Sequence, residues 1–265
     1  MATLTCKACR DPLVLEVEDE EGADDGGTQF IPDDLELSCG CHFHWQCLLD
    51  QSLQVSMSLQ CPSCGAQLAA NAPGPSATNP FFPVSSGSCI PTRYTNEGGV
   101  QENFDLLPAL TEEAYLEANP EARRARAFHV MCSEGDVGPI IDLLAEADLP
   151  SDDGLPTMSR AKLLRYQDPL AHMRSALHVA VEAAQEQVLW LLLWMASPLR
   201  TAAFPESARQ TAAAIGLQRP ETGALHDDIR ALADETGRTA EALAAEKGGP
   251  WAAVVQAGVL RPGSS

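Results

Sequence analysis

Seven of the nine cysteines fall between Cys6 and Cys64, and their spacing is that of metal ligands. In order the chain offers Cys6-x2-Cys9, 29 residues, Cys39-x-Cys41-x2-His44-x2-Cys47, 13 residues, and Cys61-x2-Cys64. Eight sulfur and imidazole donors satisfy two tetrahedral zinc ions and leave no coordination position open, which makes the expected zinc structural rather than catalytic. A Cys-x2-Cys turn aims two thiolates at one ion, and the second pair must arrive from elsewhere in the chain. Binding in such small domains is worth roughly 10–16 kcal/mol and is coupled to folding, so a chelator is expected to unfold this part.

The segments that must position these donors are short. Leu13-Val14-Leu15 and Leu35-Glu36-Leu37 read as strands. Cys47 to Met57 reads as a helix that packs Leu48, Leu49 and Leu53 on the metal core. Glu16 to Gly27 (EVEDEEGADDGG) has too little apolar content to pack and is expected to be a solvated excursion, the alternative being an acidic docking arm for a basic partner.

Composition bounds the partners. With 37 acidic against 17 basic residues, the net charge of -20 leaves no broad cationic face for phosphates, which counts against nucleic acid and anionic membrane. The longest apolar run, Val188 to Ala196, is well short of the ~20 residues that cross a bilayer. No secretory signal pattern precedes the cysteines, so the expected location is intracellular, cytoplasm or nucleus, where thiols hold metal rather than form disulfides.

The ligand order resembles the RING finger, a small α+β cross-brace domain expected over residues 1–68. In that family the first and third pairs share one zinc and the second and fourth share the other. The resemblance implies Cys6, Cys9, His44 and Cys47 on the first ion, and Cys39, Cys41, Cys61 and Cys64 on the second. Cys41 stands where a histidine is usual and His42 follows it; using His42 would leave one residue before His44, too short for the family's spacing, so Cys41 is the expected ligand. Phe43 before His44 and Pro62 inside the last pair (CPSC) also fit.

What the resemblance implies is ubiquitin ligation: the domain holds a charged ubiquitin-conjugating enzyme in a reactive arrangement and contributes positioning, with no catalytic residue of its own. Its contact positions map to Ala8, Gln51, Pro62 and Gly65. Pro62 matches. The other three depart from the aliphatic, tryptophan and basic residues usual there.

Beyond the zinc ligands, residues 69–105 are rich in Pro, Ser, Gly and Asn and read as a linker, with a short ordered patch around Phe81, Phe82 and Ile90. From about Leu106, alanine, leucine and glutamate recur at helical spacing. Ser175 to Leu193 (SALHVAVEAAQEQVLWLLL) resembles an ankyrin repeat, with Ala184 replacing the turn glycine. Arg126 to Leu144 has the same register with Gly135-Asp136 at its turn, and Gly237 to Gly248 fits the opening of a further unit.

The resemblance implies an all-α ankyrin solenoid over 106–262, with units near 123–149, 172–200, a degenerate 204–233, and 234–260. The starts at Arg126, Ser175 and Thr239 are 49 and 64 residues apart against the ~33 of the family. The first interval is read as one period plus an insertion, Pro150 to Asp168. The second is read as two periods with a weak unit beginning near Ala208. His129 and His178 take the slot of a structural histidine that bonds neighbouring turns. Trp190 and Trp194 either anchor a partner or pack against inserted segments.

Neither Cys89 nor Cys132 carries the pattern of a nucleophile, and no phosphate loop, nucleophile elbow or open metal site occurs. Two function classes follow. One is a ligase whose repeat surface recruits a protein substrate; the other is a non-catalytic zinc-stabilised interaction scaffold.

Overall fold

The structure, a computed structural model, describes residues 4–18, 28–69, 75–76, 79–83, 89–148, 158–214, 216–219 and 228–263. Most of the expected acidic excursion, most of the first half of the expected insertion after Pro150, and the side chains of Phe81 and Phe82 lie outside the described residues. The chain divides into two compact units, residues 1–119 and 120–265, of mixed α and β content: small antiparallel sheets and, among the described residues, eleven α-helices.

In the first unit, β1 (Val14–Glu18) and β2 (Thr28–Pro32) form a hairpin, and β3 (Asp34–Leu37) is flanked by β4 (His42–Phe43). The Asp-Leu-Glu-Leu sequence of β3 alternates as a half-buried strand should, with Leu35 and Leu37 facing inward. α1 (Trp45–Leu49) and α2 (Ser52–Ser58) follow, then β5 (Pro75–Ser76), β6 (Asn79–Pro83), β7 (Pro91–Asn96), β8 (Gly99–Asp105) and α3 (Leu107–Ala118).

Where one helix from Cys47 to Met57 was expected, the chain breaks at Asp50-Gln51 into α1 and α2. The break shifts the phase of the second helix. Leu48 is buried and Leu49 half-buried, but Leu53 is 40% exposed and Val55 fills the core position in its place.

The expected linker also differs. Residues 91–105 form β7 and β8, and β7 pairs along the free side of β3 to give a four-stranded sheet in the order β4-β3-β7-β8. Ile90, Leu106, Leu107 and Leu110 are buried in the same core as Leu35, Phe43, Leu48 and Val55, and α3 packs on α2. Residues 89–119 thus complete the first unit instead of separating two domains. The physical reason is that the cysteine-bearing turns alone leave β3 with an open edge and an uncovered apolar face.

The second unit begins with α4 (Ala122–Glu134) and α5 (Val137–Glu146), continues with α6 (Arg160–Arg165), and makes a small hairpin from β9 (Gln167–Asp168) and β10 (Arg174–Ser175). α7 (Ala176–Glu182), α8 (Glu186–Ala196), α9 (Glu206–Ala214), α10 (Ala240–Lys247) and α11 (Ala252–Gln256) follow. Three helix pairs, α4–α5, α7–α8 and α10–α11, are each packed internally, and α7 packs on both α4 and α10.

The first two pairs share their turn chemistry. α4 ends with Gly135 in the left-handed region at φ 88°, and α7 ends with Ala184 there at φ 58°. In each case the next amide bonds back five residues: Asp136 N to Met131 O at 3.1 Å, and Gln185 N to Ala180 O at 2.9 Å. Ser175 caps α7 in a reciprocal arrangement with His178, and Thr239 caps α10. His178 Nε2 reaches the carbonyl of Arg238 at 2.9 Å, tying the second pair to the third.

Direct packing of α10 on α7 leaves no place between them for a further stacked unit. Among the described residues of 204–233, where a weak unit was expected, the chain makes an excursion whose α9 packs on α8. Phe204 lies 5.8 Å from the ring of Trp190 and 5.0 Å from that of Trp194, Trp194 donates to Leu217 O, and the Arg219 guanidinium sits over both Trp194 and Phe204. This excursion is what covers the two tryptophans. It also explains why α8 is buried on nearly every face.

Candidate metal centre

Two knuckles and the β3–β4 turn bring the sulfurs together. Cys6 and Cys9 flank a turn closed by Arg10 N to Cys6 O at 3.0 Å, and Cys61 and Cys64 flank another closed by Gly65 N to Cys61 O at 2.8 Å. Gly65 has φ 72°, a conformation glycine adopts without steric cost. Cys39 and Cys41 sit on the tight turn after β3, held by Leu37 N to Cys41 O at 2.9 Å. His44 and Cys47 lie at the start of α1.

The donors segregate into two clusters: Cys6, Cys9, His44 and Cys47, and Cys39, Cys41, Cys61 and Cys64. Within each, all donor atoms lie within 4.8 Å of one another. Tetrahedral zinc with Zn–S of about 2.3 Å and Zn–N of about 2.0 Å places neighbouring donors roughly 3.5–3.8 Å apart. His44 Nδ1 is 3.3 Å from Cys9 Sγ and 3.7 Å from Cys47 Sγ, which fits that tetrahedron. The sequence-predicted sets are the ones the fold brings together, and each cluster can hold one metal ion, consistent with two zinc sites.

Surrounding groups orient the donors. His44 Nε2 lies 2.8 Å from Pro12 O; donating there fixes the tautomer that leaves Nδ1 free for a metal. His42 turns elsewhere, its Nδ1 2.7 Å from Asp34 Oδ1, and it belongs to neither cluster. The amides of Ala8 and His44 each approach Cys6 Sγ at 3.4 Å. Asp33, buried, accepts from the backbone amide of Trp45 at the first turn of α1, which carries Cys47.

The electrostatics ask for a cation. Burial first, and then the neighbouring thiols, push Cys41 and Cys47 up to about 12. Burial also opposes ionisation of Cys6, but the amides of Cys9, His44 and Ala8 outweigh it and bring that thiol down to about 7. Cys64 comes to about 7 chiefly through the amide of Ala66. A dication at the centre of each cluster would let all its sulfurs bind as thiolates and would knit three distant segments together.

The four positions implied as partner contacts are placed as follows. Ala8 is exposed on the first knuckle, Pro62 is half-buried on the last, and Gly65 is exposed just beyond it. Gln51 folds back, its Nε2 donating to Cys47 O at 3.0 Å. Asp33 and Pro12 were missed by sequence reasoning. Both act through contacts with the metal-bearing segments, and neither residue type nor spacing marks them.

In the second unit, His178 makes the bonds expected of a structural histidine, and His129 is buried, edge-on to Tyr166 at 5.4 Å. Cys132 is buried, its thiol pushed up to about 12 by that burial, and Cys89 is exposed. Among the described residues no helix is long and apolar enough to cross a membrane. Comparison of the chain with protein-family models, with curated proteins and with solved structures gives no match.

Proposed function

We propose that residues 1–119 are a RING-type cross-brace holding two structural zinc ions, and that residues 120–265 are an ankyrin-type stack. Together they act as an intracellular ubiquitin ligase: the zinc unit positions a charged conjugating enzyme and the stack recruits the protein substrate. The observation that carries this reading is the interleaved ligand order, with the first and third pairs in one cluster and the second and fourth in the other. The three helix pairs, the capped first helices and the His178 to Arg238 bond support the stack. Closed four-donor sites do no chemistry themselves, so positioning is the contribution open to this domain.

A second reading, the non-catalytic scaffold, is favoured by one observation. Gln51 turns its amide onto Cys47 O, while Ala8 and Gly65 offer little side chain at the remaining contact positions. The discriminating experiment is lysine discharge from a panel of charged conjugating enzymes, comparing the chain with Cys61→Ala. The ligase reading expects discharge by at least one enzyme, lost in the variant; silence across the panel leaves the scaffold.

A further inference from the structure

Among the described residues β1 and β2 pair only with each other. A two-stranded ribbon is marginal in water and ordinarily needs a third strand or a covering element. In this ribbon Leu15 and Val17, 51% and 39% exposed, share one face with Ile31, which stands opposite Leu15. Phe30, 57% exposed, is on the other face opposite Glu16. The ribbon thus holds strand-forming residues without the burial that usually rewards them.

The guards on the β1 edge are the charges of Glu16 and Glu18 alone. Sheet edges are commonly blunted by lysine, proline or a bulge. β8, the outer strand of the four-stranded sheet, has such a guard: the register shifts opposite Thr92 and Tyr94, and Asn103 takes φ 56°. β1 (VLEVE) has an unbroken register with β2 and no lysine or proline.

We propose that β1 is a docking edge for an extended segment of a partner protein, in which aliphatic residues alternate with lysine or arginine, and which adds to the ribbon as a third strand. Charge selects that occupant. Glu16 and Glu18 alternate with Leu15 and Val17 along β1, so a basic strand places opposite charge beside them and its aliphatic residues beside the apolar face. The unit around it holds 18 of the 37 acidic residues and only 3 of the 17 basic ones. A second copy of β1 is a poor occupant, because antiparallel pairing brings the glutamates of two chains together. The inference is independent of the ligase reading.

The test uses the full zinc-loaded chain and fluorescein-labelled octapeptides in an anisotropy titration. The probes are alternating Lys-Val, the same composition in two blocks, alternating Glu-Val, and alternating Lys-Val with every second amide N-methylated. The alternating Lys-Val peptide should bind at least roughly tenfold more tightly than the block or N-methylated peptide. Leu15→Thr with Val17→Thr should weaken it by roughly tenfold while keeping strand propensity. Glu16→Lys with Glu18→Lys should abolish it and bring in binding of Glu-Val. Zinc content confirms that each variant is folded, and the peptide series stands on wild type alone. Equal binding of alternating and block peptides, no binding of either, or sedimentation as a dimer that the threonine variant dissolves would each overturn the proposal.

Discussion

Tyr94 donates its hydroxyl to Oδ1 of Asp33 at 3.0 Å, across 61 residues of chain. Burial, and then the charge of Asp33, push that hydroxyl up to about 12, so it remains a donor at any ordinary pH. The same carboxylate accepts from Trp45 N, and the Trp45 ring lies 5.2 Å from that of Tyr94 and 5.8 Å from that of Phe104. Through these contacts β7 and β8 brace the start of the helix that carries Cys47.

Residues 1–68, which hold all eight donors, should therefore be an inadequate zinc domain by themselves, and residues 1–119 an adequate one. The shorter fragment is expected to bind zinc more weakly in a competition titration and to melt without cooperativity. Within the longer chain, Tyr94→Phe should cost about 1–2 kcal/mol in chemical unfolding, the loss of a charge-assisted bond to a buried carboxylate. Equal zinc affinity of the two fragments would remove the bracing role.

Ala184 holds a left-handed conformation at the end of α7 where Gly135 holds the matching place after α4. A residue with a Cβ is strained there, and glycine is not. Ala184→Gly should raise the stability of the second unit by about 1 kcal/mol, read as a higher denaturant midpoint at unchanged slope. A lower midpoint would mean that the backbone strain is offset by a contact of the Ala184 methyl.

Acid should weaken the second unit before its carboxylates titrate. Burial holds His129 down to about 4, against the opposing pull of Asp168, while an unfolded histidine titrates near ~6.5. Between those values the unfolded chain binds the extra proton. Stability is thus fully present above ~6.5, falls as pH falls, and has lost about 3 kcal/mol by pH ~4. His178, lowered first by its own burial, adds in the same direction. The check is urea unfolding at pH 7 and pH 5 for wild type and His129→Leu, differenced so that the first unit's own acid sensitivity cancels. A wild-type loss no larger than the variant's contradicts this account of His129.

The parts legible in the sequence were those set by local rules. Ligand spacing separates Cys41 from His42 within four residues, and the Asp34 contact of His42 agrees with that separation. Gly135 and Ala184 likewise mark turns that a helix end dictates locally. Long-range pairing was illegible. In β7 only Thr92 is fully buried, so Pro91 to Asn96 shows no clean alternation and reads as loop; β3, more than fifty residues earlier, makes it a strand. The interval between Ser175 and Thr239 was ambiguous for a similar reason, since its length fits two periods as well as one period with an excursion. Packing of α10 on α7, and of Phe204 on Trp190 and Trp194, decides it.

The central claim is two zinc ions on eight named donors, and native mass spectrometry of the intact chain and three variants tests it most directly. Wild type should hold two zinc ions, His42→Ala should also hold two, and Cys41→Ser and His44→Ala should each lose one while keeping the other. A single ion in wild type, or loss of an ion from His42→Ala with retention in Cys41→Ser, would contradict it.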